Sequence, residues 1–145
     1  MKVYTSYYSQ LKALDREGII PIAISRTVPD WSLDRMNRNK NWLRTLAPRP
    51  EMHKMPMHLY IPRYEAILQA HDPASVCQLI KKMSDGQDAA LLCWEKDSEN
   101  CHRSIVAAWI NKATGSHIEE YGTGEPNGDQ QDLFGTDNLQ GFEDI

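Results

Sequence analysis

The chain lacks any run of about eighteen apolar residues, so no segment reads as a membrane-spanning helix. Nor does a basic stretch lead into an apolar one near Met1, and a cytoplasmic protein with no membrane partner is expected. Cysteine is scarce. Cys77, Cys93 and Cys101 are the three in 145 residues, an odd set without a paired framework, and free thiols are expected. The glycine patterns that cradle phosphates in dinucleotide-binding and Walker loops are absent, which removes those readings. Basic residues stop at Lys112, while Glu119, Glu120, Glu125, Asp129, Asp132, Asp137, Glu143 and Asp144 accumulate beyond it.

A formal net charge of -4 argues against a protein that coats nucleic acid indiscriminately. The average conceals a basic middle. Arg26, Arg35, Arg38, Lys40, Arg44, Arg49, Lys54 and Arg63 stand there against Asp30, Asp34 and Glu51 alone.

Ala89 to Trp94 is a short, almost continuous apolar run after Gly86, the pattern of a strand buried on both faces. From Cys101 the apolar residues Ile105, Val106, Ala108, Trp109 and Ile110 fall at helical spacing, and Gly115 is placed for a left-handed cap. This strand, loop and helix is the centre of the chain. Before it, Lys2 to Thr5 and the β-branched run Ile19 to Ile24 predict two more strands, with Pro21 near the start of the second. Helices are expected over Gln10 to Arg16, Leu33 to Leu46 and Arg63 to Ala70. A further helix opens at Asp72-Pro73, with Val76, Leu79, Ile80 and Met83 as its buried stripe. His117 to Tyr121 predicts a last strand. The pattern is α/β: a mainly parallel, Rossmann-like sheet with helical crossovers, forming a single domain over residues 1–121. Residues 122–145, rich in Gly, Asn, Asp and Gln, are expected as an acidic, disordered tail.

The string Leu91-Leu92-Cys93-Trp94-Glu95-Lys96, a short acidic gap, and Cys101-His102-Arg103-Ser104 together resemble the signature of the domain-of-unknown-function family 488. Tyr4-Thr5-Ser6, and Ser25-Arg26 followed by Pro29, are weaker echoes of the same family. The resemblance spans residues 1 to about 121; it implies an α/β fold with a site at these residues, and no reaction.

In a parallel sheet the ends of the strands share one rim, where ligands of open α/β folds bind and free helix N–H groups attract anions. Thr5, Ser6, Ser25, Arg26, Cys93, Trp94 and Arg103 are therefore candidate ligand-binding residues. Arg26 and Arg103 are expected as clamps on a phosphate-bearing ligand, since a guanidinium fork matches phosphate oxygens; the alternative is an ordinary surface arginine. Glu95 is the candidate base or nucleophile toward a sugar carbon. Its other reading is a carboxylate paired with Arg26 or Arg103. Cys101, at a helix start beside His102 and Arg103, has the surroundings of a reactive thiol, and Cys93 that of a small buried hydrophobe. Cys101 and His102 join Glu95 as candidate catalytic residues. The Cys93-x7-Cys101-His102 spacing invites a zinc reading but lacks the close pairing of structural zinc sites and a fourth ligand, so no metal or other cofactor is expected. Trp31, Trp42, Met52, Met55 and Met57 line a groove or pack into the core.

The tail carries Gln130-Gln131-Asp132-Leu133-Phe134, similar to the pentapeptide by which many bacterial and phage proteins dock on the DNA sliding clamp. Leu133 and Phe134 would fill an apolar pocket beside which Gln130 forms hydrogen bonds, with Asp132 in the third motif position. The expected function is an enzyme of nucleotides or nucleic acid, hydrolysing or transferring at a glycosidic or phosphate bond, recruited to DNA by this tail. The alternatives are a non-catalytic nucleotide binder and a protein whose tail alone matters, through the clamp or a host protein.

Overall fold

The computed structural model describes residues 1–96 and 101–122. Strand β3, Ala89–Cys93, is buried at every position and lies inside a four-stranded sheet of order β2-β3-β1-β4. Its neighbours are β1, Val3–Tyr7, and β2, Ile20–Ala23, and the two-residue β4, Glu119–Glu120, pairs with β1. All pairings are parallel, which agrees with the α/β reading. Ala89 and Leu91 face one apolar core, and Ala90 and Leu92 the other; this two-sided burial is why β3 shows no polar alternation. Pro21 pairs with Ala90 on an edge strand, where a missing N–H costs no central ladder bond.

Helix α1, Leu11–Arg16, and helix α2, Asp30–Asn39, supply Leu11, Leu14 and Met36 to one core. The other face is covered by α3, Met57–Gln69, α4, Pro73–Ser84, and α5, His102–Thr114, through Tyr64, Leu68, Ile80, Val106 and Ile110. The chain leaves β1 through α1 toward β2, and leaves adjacent β3 through α5 in the other direction toward β4. The two connections pass each other on opposite faces of the sheet, one over β3 and the other over β1, and ligands of such sheets sit outside the carboxyl ends of the strands.

Two caps hold as the sequence predicts. Asp72 accepts from the Ser75 amide at 3.3 Å with Pro73 in the first turn, and Gly115 closes α5 at φ 74°. The middle of the chain differs. The helix expected over Leu33 to Leu46 instead spans Asp30–Asn39 and ends at Lys40, which takes a left-handed φ of 57°. Short 3-10 turns follow at Arg44–Leu46 and Pro50–Met52. Helix α3 begins at Met57, after the extended Pro56, and carries Pro62 within it, so it starts a turn and a half earlier than Arg63. In α4, Cys77 and Ser84 share the buried face with Val76 and Ile80, which rotates Leu79 to 41% exposure. Among the described residues no helix is long and apolar enough to cross a membrane.

Candidate functional site

The rim pocket forms where β2 and β3 end. The segment after β2 brings Ser25, Arg26 and Thr27; the segment after β3 brings Trp94 and Glu95; and Cys101 and His102 open α5. Opposite them stand Arg49, Met52, His53 and Met55 from the irregular stretch before α3, and Met57 and Tyr60 from the first turn of α3. The cavity measures about 530 Å³. Trp94 is 49% exposed, and its indole N–H donates to the Thr27 carbonyl at 2.8 Å. Its ring meets Tyr8 edge-on at 5.6 Å, and the Tyr8 hydroxyl donates to Ser25 Oγ, which in turn donates to the Thr27 carbonyl at 2.6 Å. Trp42 anchors the same segment by donating to the Ser25 carbonyl at 2.8 Å. Burial raises the Tyr8 phenol far above its ordinary range, so that hydroxyl keeps its proton. Hydrogen bonds among Tyr8, Ser25, Thr27, Trp42 and Trp94 hold this wall as a fixed frame.

Glu95 is exposed within the pocket lining. Burial, followed by the charge of Glu95, pushes the Tyr60 phenol up to about 12, which leaves it a proton donor. Tyr60 stacks on Tyr64, and Tyr64 donates to the Leu46 carbonyl at 2.5 Å, fixing the far wall against the core.

His102 is buried, with Nε2 at 2.8 Å from the Ile24 carbonyl. A carbonyl accepts only, so Nε2 carries the proton and Nδ1 keeps its lone pair, which lies 3.8 Å from Cys101 Sγ. Burial lowers the imidazole pKa to about 4, the Ile24 hydrogen bond opposes that shift, and the neighbouring Arg103 charge adds to it. The ring is neutral at ordinary pH.

Arg103 occupies the reverse side of this rim and is fully buried. Its Nε and Nη2 bind the two carboxylate oxygens of Glu120 at 2.9 Å each. Nη1 donates to Cys93 Sγ at 3.0 Å and to the Glu95 carbonyl at 2.5 Å, and Nη2 also reaches the Lys96 carbonyl at 3.0 Å. A guanidinium has five N–H donors, and all are engaged. Arg103 does not line the pocket, so the structure replaces the expected anion clamp with a brace that ties β3, its following loop and β4 to α5. Arg26 remains exposed on the pocket lining, without an ion pair to another described residue.

The sulfurs of Cys93 and Cys101 are in bonding contact, with their Cα atoms 7.1 Å apart; Cys77 is the free, buried thiol. Three separate free thiols were expected, and the return of α5 to the rim is what brings two of them together. His102 Nδ1 and both sulfurs lie within 4.8 Å of one another. Among the described residues, no other group of three His, Cys, Asp or Glu is placed to hold a metal ion.

Of the sequence-predicted site residues, Ser25, Arg26, Trp94, Glu95, Cys101 and His102 line the pocket, and Cys93 lies behind it. Thr5 and Ser6 sit inside β1, both buried and away from the lining. Thr5 donates to Glu120 at 2.7 Å and joins the Arg103 brace; Ser6 Oγ is buried without a hydrogen-bond partner among the described residues. From this end of β1 it is Tyr8 that supports the site, buried behind Ser25 and Trp94 and not itself on the lining. His53 and Tyr60 were not singled out in the sequence, and Arg49 stood there only as one basic residue of the middle; Pro29, Pro48, Pro50 and Pro56 break the stretch from Thr27 to Tyr60 that holds them. Gln130, Asp132, Leu133 and Phe134 lie outside the described residues.

A family model described as the active DUF488-N3 subclade, DUF488-N3a, matches residues 4–114. No curated protein and no solved structure matches the chain. The match takes in nearly all of β1, the central strand and the whole of α5, and so every described residue that lines the rim pocket: the chain belongs to the DUF488 family, in its DUF488-N3a subclade.

Proposed function

We propose that this chain is a nucleotide- or nucleic-acid-processing enzyme that hydrolyses or transfers at a glycosidic or phosphate bond within the rim pocket. The observation that carries this reading is the lining itself: aromatic and Met walls, two arginines and a carboxylate around one cavity of about 530 Å³. That volume falls within the roughly 300–1,000 Å³ of small-molecule sites. Trp94 and Tyr60 offer flat faces to a base, and base–aromatic stacking is tolerant of base identity. Arg26 and Arg49 supply fork-shaped cations for phosphate oxygens.

Glu95 is the one carboxylate on the described lining and takes the reacting role. It either accepts a proton from attacking water or forms a bond to the sugar carbon as the base departs. The fixed Trp94 and Ser25 frame orients the ligand over it, so the expected gain comes from positioning as well as charge. For a polymeric substrate, the basic residues between Arg26 and Arg63 would follow the backbone and make binding fall with salt. Gln130, Asp132, Leu133 and Phe134 are proposed, on sequence alone, to recruit the enzyme to a bacterial DNA sliding clamp.

Incubation of the full chain with nucleoside mono-, di- and triphosphates and short single-stranded DNA, followed by mass spectrometry, tests the reading. Release of free base or of phosphate identifies the bond, and Glu95→Gln should stop it. Binding with no product from any of them supports the non-catalytic binder instead. For the tail, a peptide of residues 128–138 should bind the clamp at micromolar strength and lose binding when Leu133 and Phe134 are both alanine.

A further inference from the structure

We propose that Cys93, Cys101 and His102 form a three-ligand site for a zinc-type divalent ion, whose fourth position opens into the rim pocket. This goes beyond the enzymatic reading and does not depend on the pocket's ligand. The three donor atoms converge within 4.8 Å, and all three residues are buried. Two sulfurs and an imidazole nitrogen form a donor set that suits zinc, at about 2.3 Å for sulfur and 2.0–2.1 Å for nitrogen.

The surroundings are built for thiolates and for a metal-bound imidazole. His102 Nε2–H is committed to the Ile24 carbonyl at 2.8 Å, which fixes the tautomer and aims the Nδ1 lone pair at the sulfurs. Metal-ligating histidines are held in this way by their second nitrogen. Arg103 donates to Cys93 Sγ at 3.0 Å, a contact that favours an anionic sulfur. A permanent disulfide would use neither feature: Nδ1 would face a sulfur with no proton to give, and the buried guanidinium would face an uncharged one. The Cα separation of 7.1 Å also exceeds the roughly 4.4–6.8 Å over which disulfides ordinarily close. Around zinc, the two sulfurs would stand about 3.8 Å apart, by tetrahedral geometry at zinc–sulfur bond length.

Cys93 lies behind the pocket, whereas Cys101 and His102 line it, so the side of the ion without a protein ligand faces the cavity that also holds Glu95. Sites with three protein ligands and an open position are the catalytic kind. Cys101 is then a ligand and not a nucleophile. Oxidation of the two zinc-bound thiolates to a disulfide, with two electrons passing to an external oxidant such as a peroxide or a small disulfide, would release the ion.

The test uses the full chain, reduced with a dithiol, stripped with a chelator and freed of both under argon. Zinc is then titrated against a chromophoric chelator, and cobalt is added to a parallel sample to read thiolate-to-metal charge transfer. One equivalent per chain is expected, with the charge-transfer band. Cys101→Ser should weaken zinc binding by more than the roughly 100-fold that an outer-shell change costs. Serine is a favoured residue at a helix N-cap, where Cys101 sits, so this variant keeps the fold, checked by its melting curve. Cys77→Ser, a change remote from the site, should bind as the wild type does. Failure of the reduced, folded protein to take up zinc, or wild-type affinity in Cys101→Ser, overturns the proposal.

Discussion

Arg103 and Arg26 were equivalent in the sequence, each polar at the edge of a buried strand or helix start, each a candidate phosphate clamp. In the folded chain they belong to different regions. Arg103 is enclosed behind the rim with every donor spent on Glu120, Cys93 and the carbonyls after β3, while Arg26 faces the cavity. A guanidinium whose donors are spent on its own chain cannot read a ligand; it sets the shape of the loop that does. The back of the rim therefore fixes geometry, and the front carries the side chains to which the proposed function gives the substrate.

The largest expected effect comes from the back. Arg103→Ala should cost about 3–5 kcal/mol in urea unfolding, because it leaves the Glu120 carboxylate without its buried partner. Arg103→Lys should recover little of that, since an ammonium cannot bridge both Glu120 oxygens and the three other acceptors at once. A melting temperature unchanged in Arg103→Ala would break the comparison.

At the front, Glu95→Gln should lower kcat by about 100- to 10,000-fold while leaving nucleotide affinity near that of the wild type, with unfolding unchanged. Equal loss of binding and turnover would move Glu95 to the structural side.

Acid provides a smaller test of the back. His102 is held at a pKa of about 4 against an ordinary 6.5, so the unfolded chain takes up its proton first as pH falls. Its contribution to stability is complete above pH 6.5 and is lost as pH drops toward 4. The loss in metal-free protein should approach about 3 kcal/mol, read from urea midpoints at pH 7 and pH 4. His102→Gln should flatten that dependence.

The smallest stability effect belongs to Arg26. Arg26→Ala should shift unfolding by under about 0.5 kcal/mol, as exposed substitutions do, and weaken binding of a nucleoside monophosphate about tenfold or more.

Most of the fold was legible because burial leaves a pattern. The uninterrupted apolar run of β3, the Asp72-Pro73 start and the Gly115 stop are each dictated by local chemistry, and all three hold. The rim was legible in part. Ser25, Arg26, Trp94 and Glu95 follow strands, and parallel strands end together, so their meeting required only the sheet. Side-chain direction did not follow from that logic. Whether Thr5 points at Glu120 or at solvent depends on β1 lying between β3 and β4, an order that no local pattern encodes. The same holds for Arg103. Its helix-start position suited anion binding, but its direction was settled by a carboxylate on β4, 17 residues away. Arg49 reaches the pocket from an irregular stretch, where neither period two nor period 3.6 exists to be read, and Tyr60 from the first turn of α3, a helix whose start the sequence placed later, at Arg63.

Calorimetric titration of a nucleoside monophosphate into wild type, Arg26→Ala and Glu95→Gln, with melting curves on the same samples, tests the front-and-back account most directly. Saturable binding to the wild type is predicted, nearly unchanged in Glu95→Gln and about tenfold or more weaker in Arg26→Ala at an unaltered melting temperature. Absence of heat for every nucleotide tried, or equal affinity in wild type and Arg26→Ala, would contradict it.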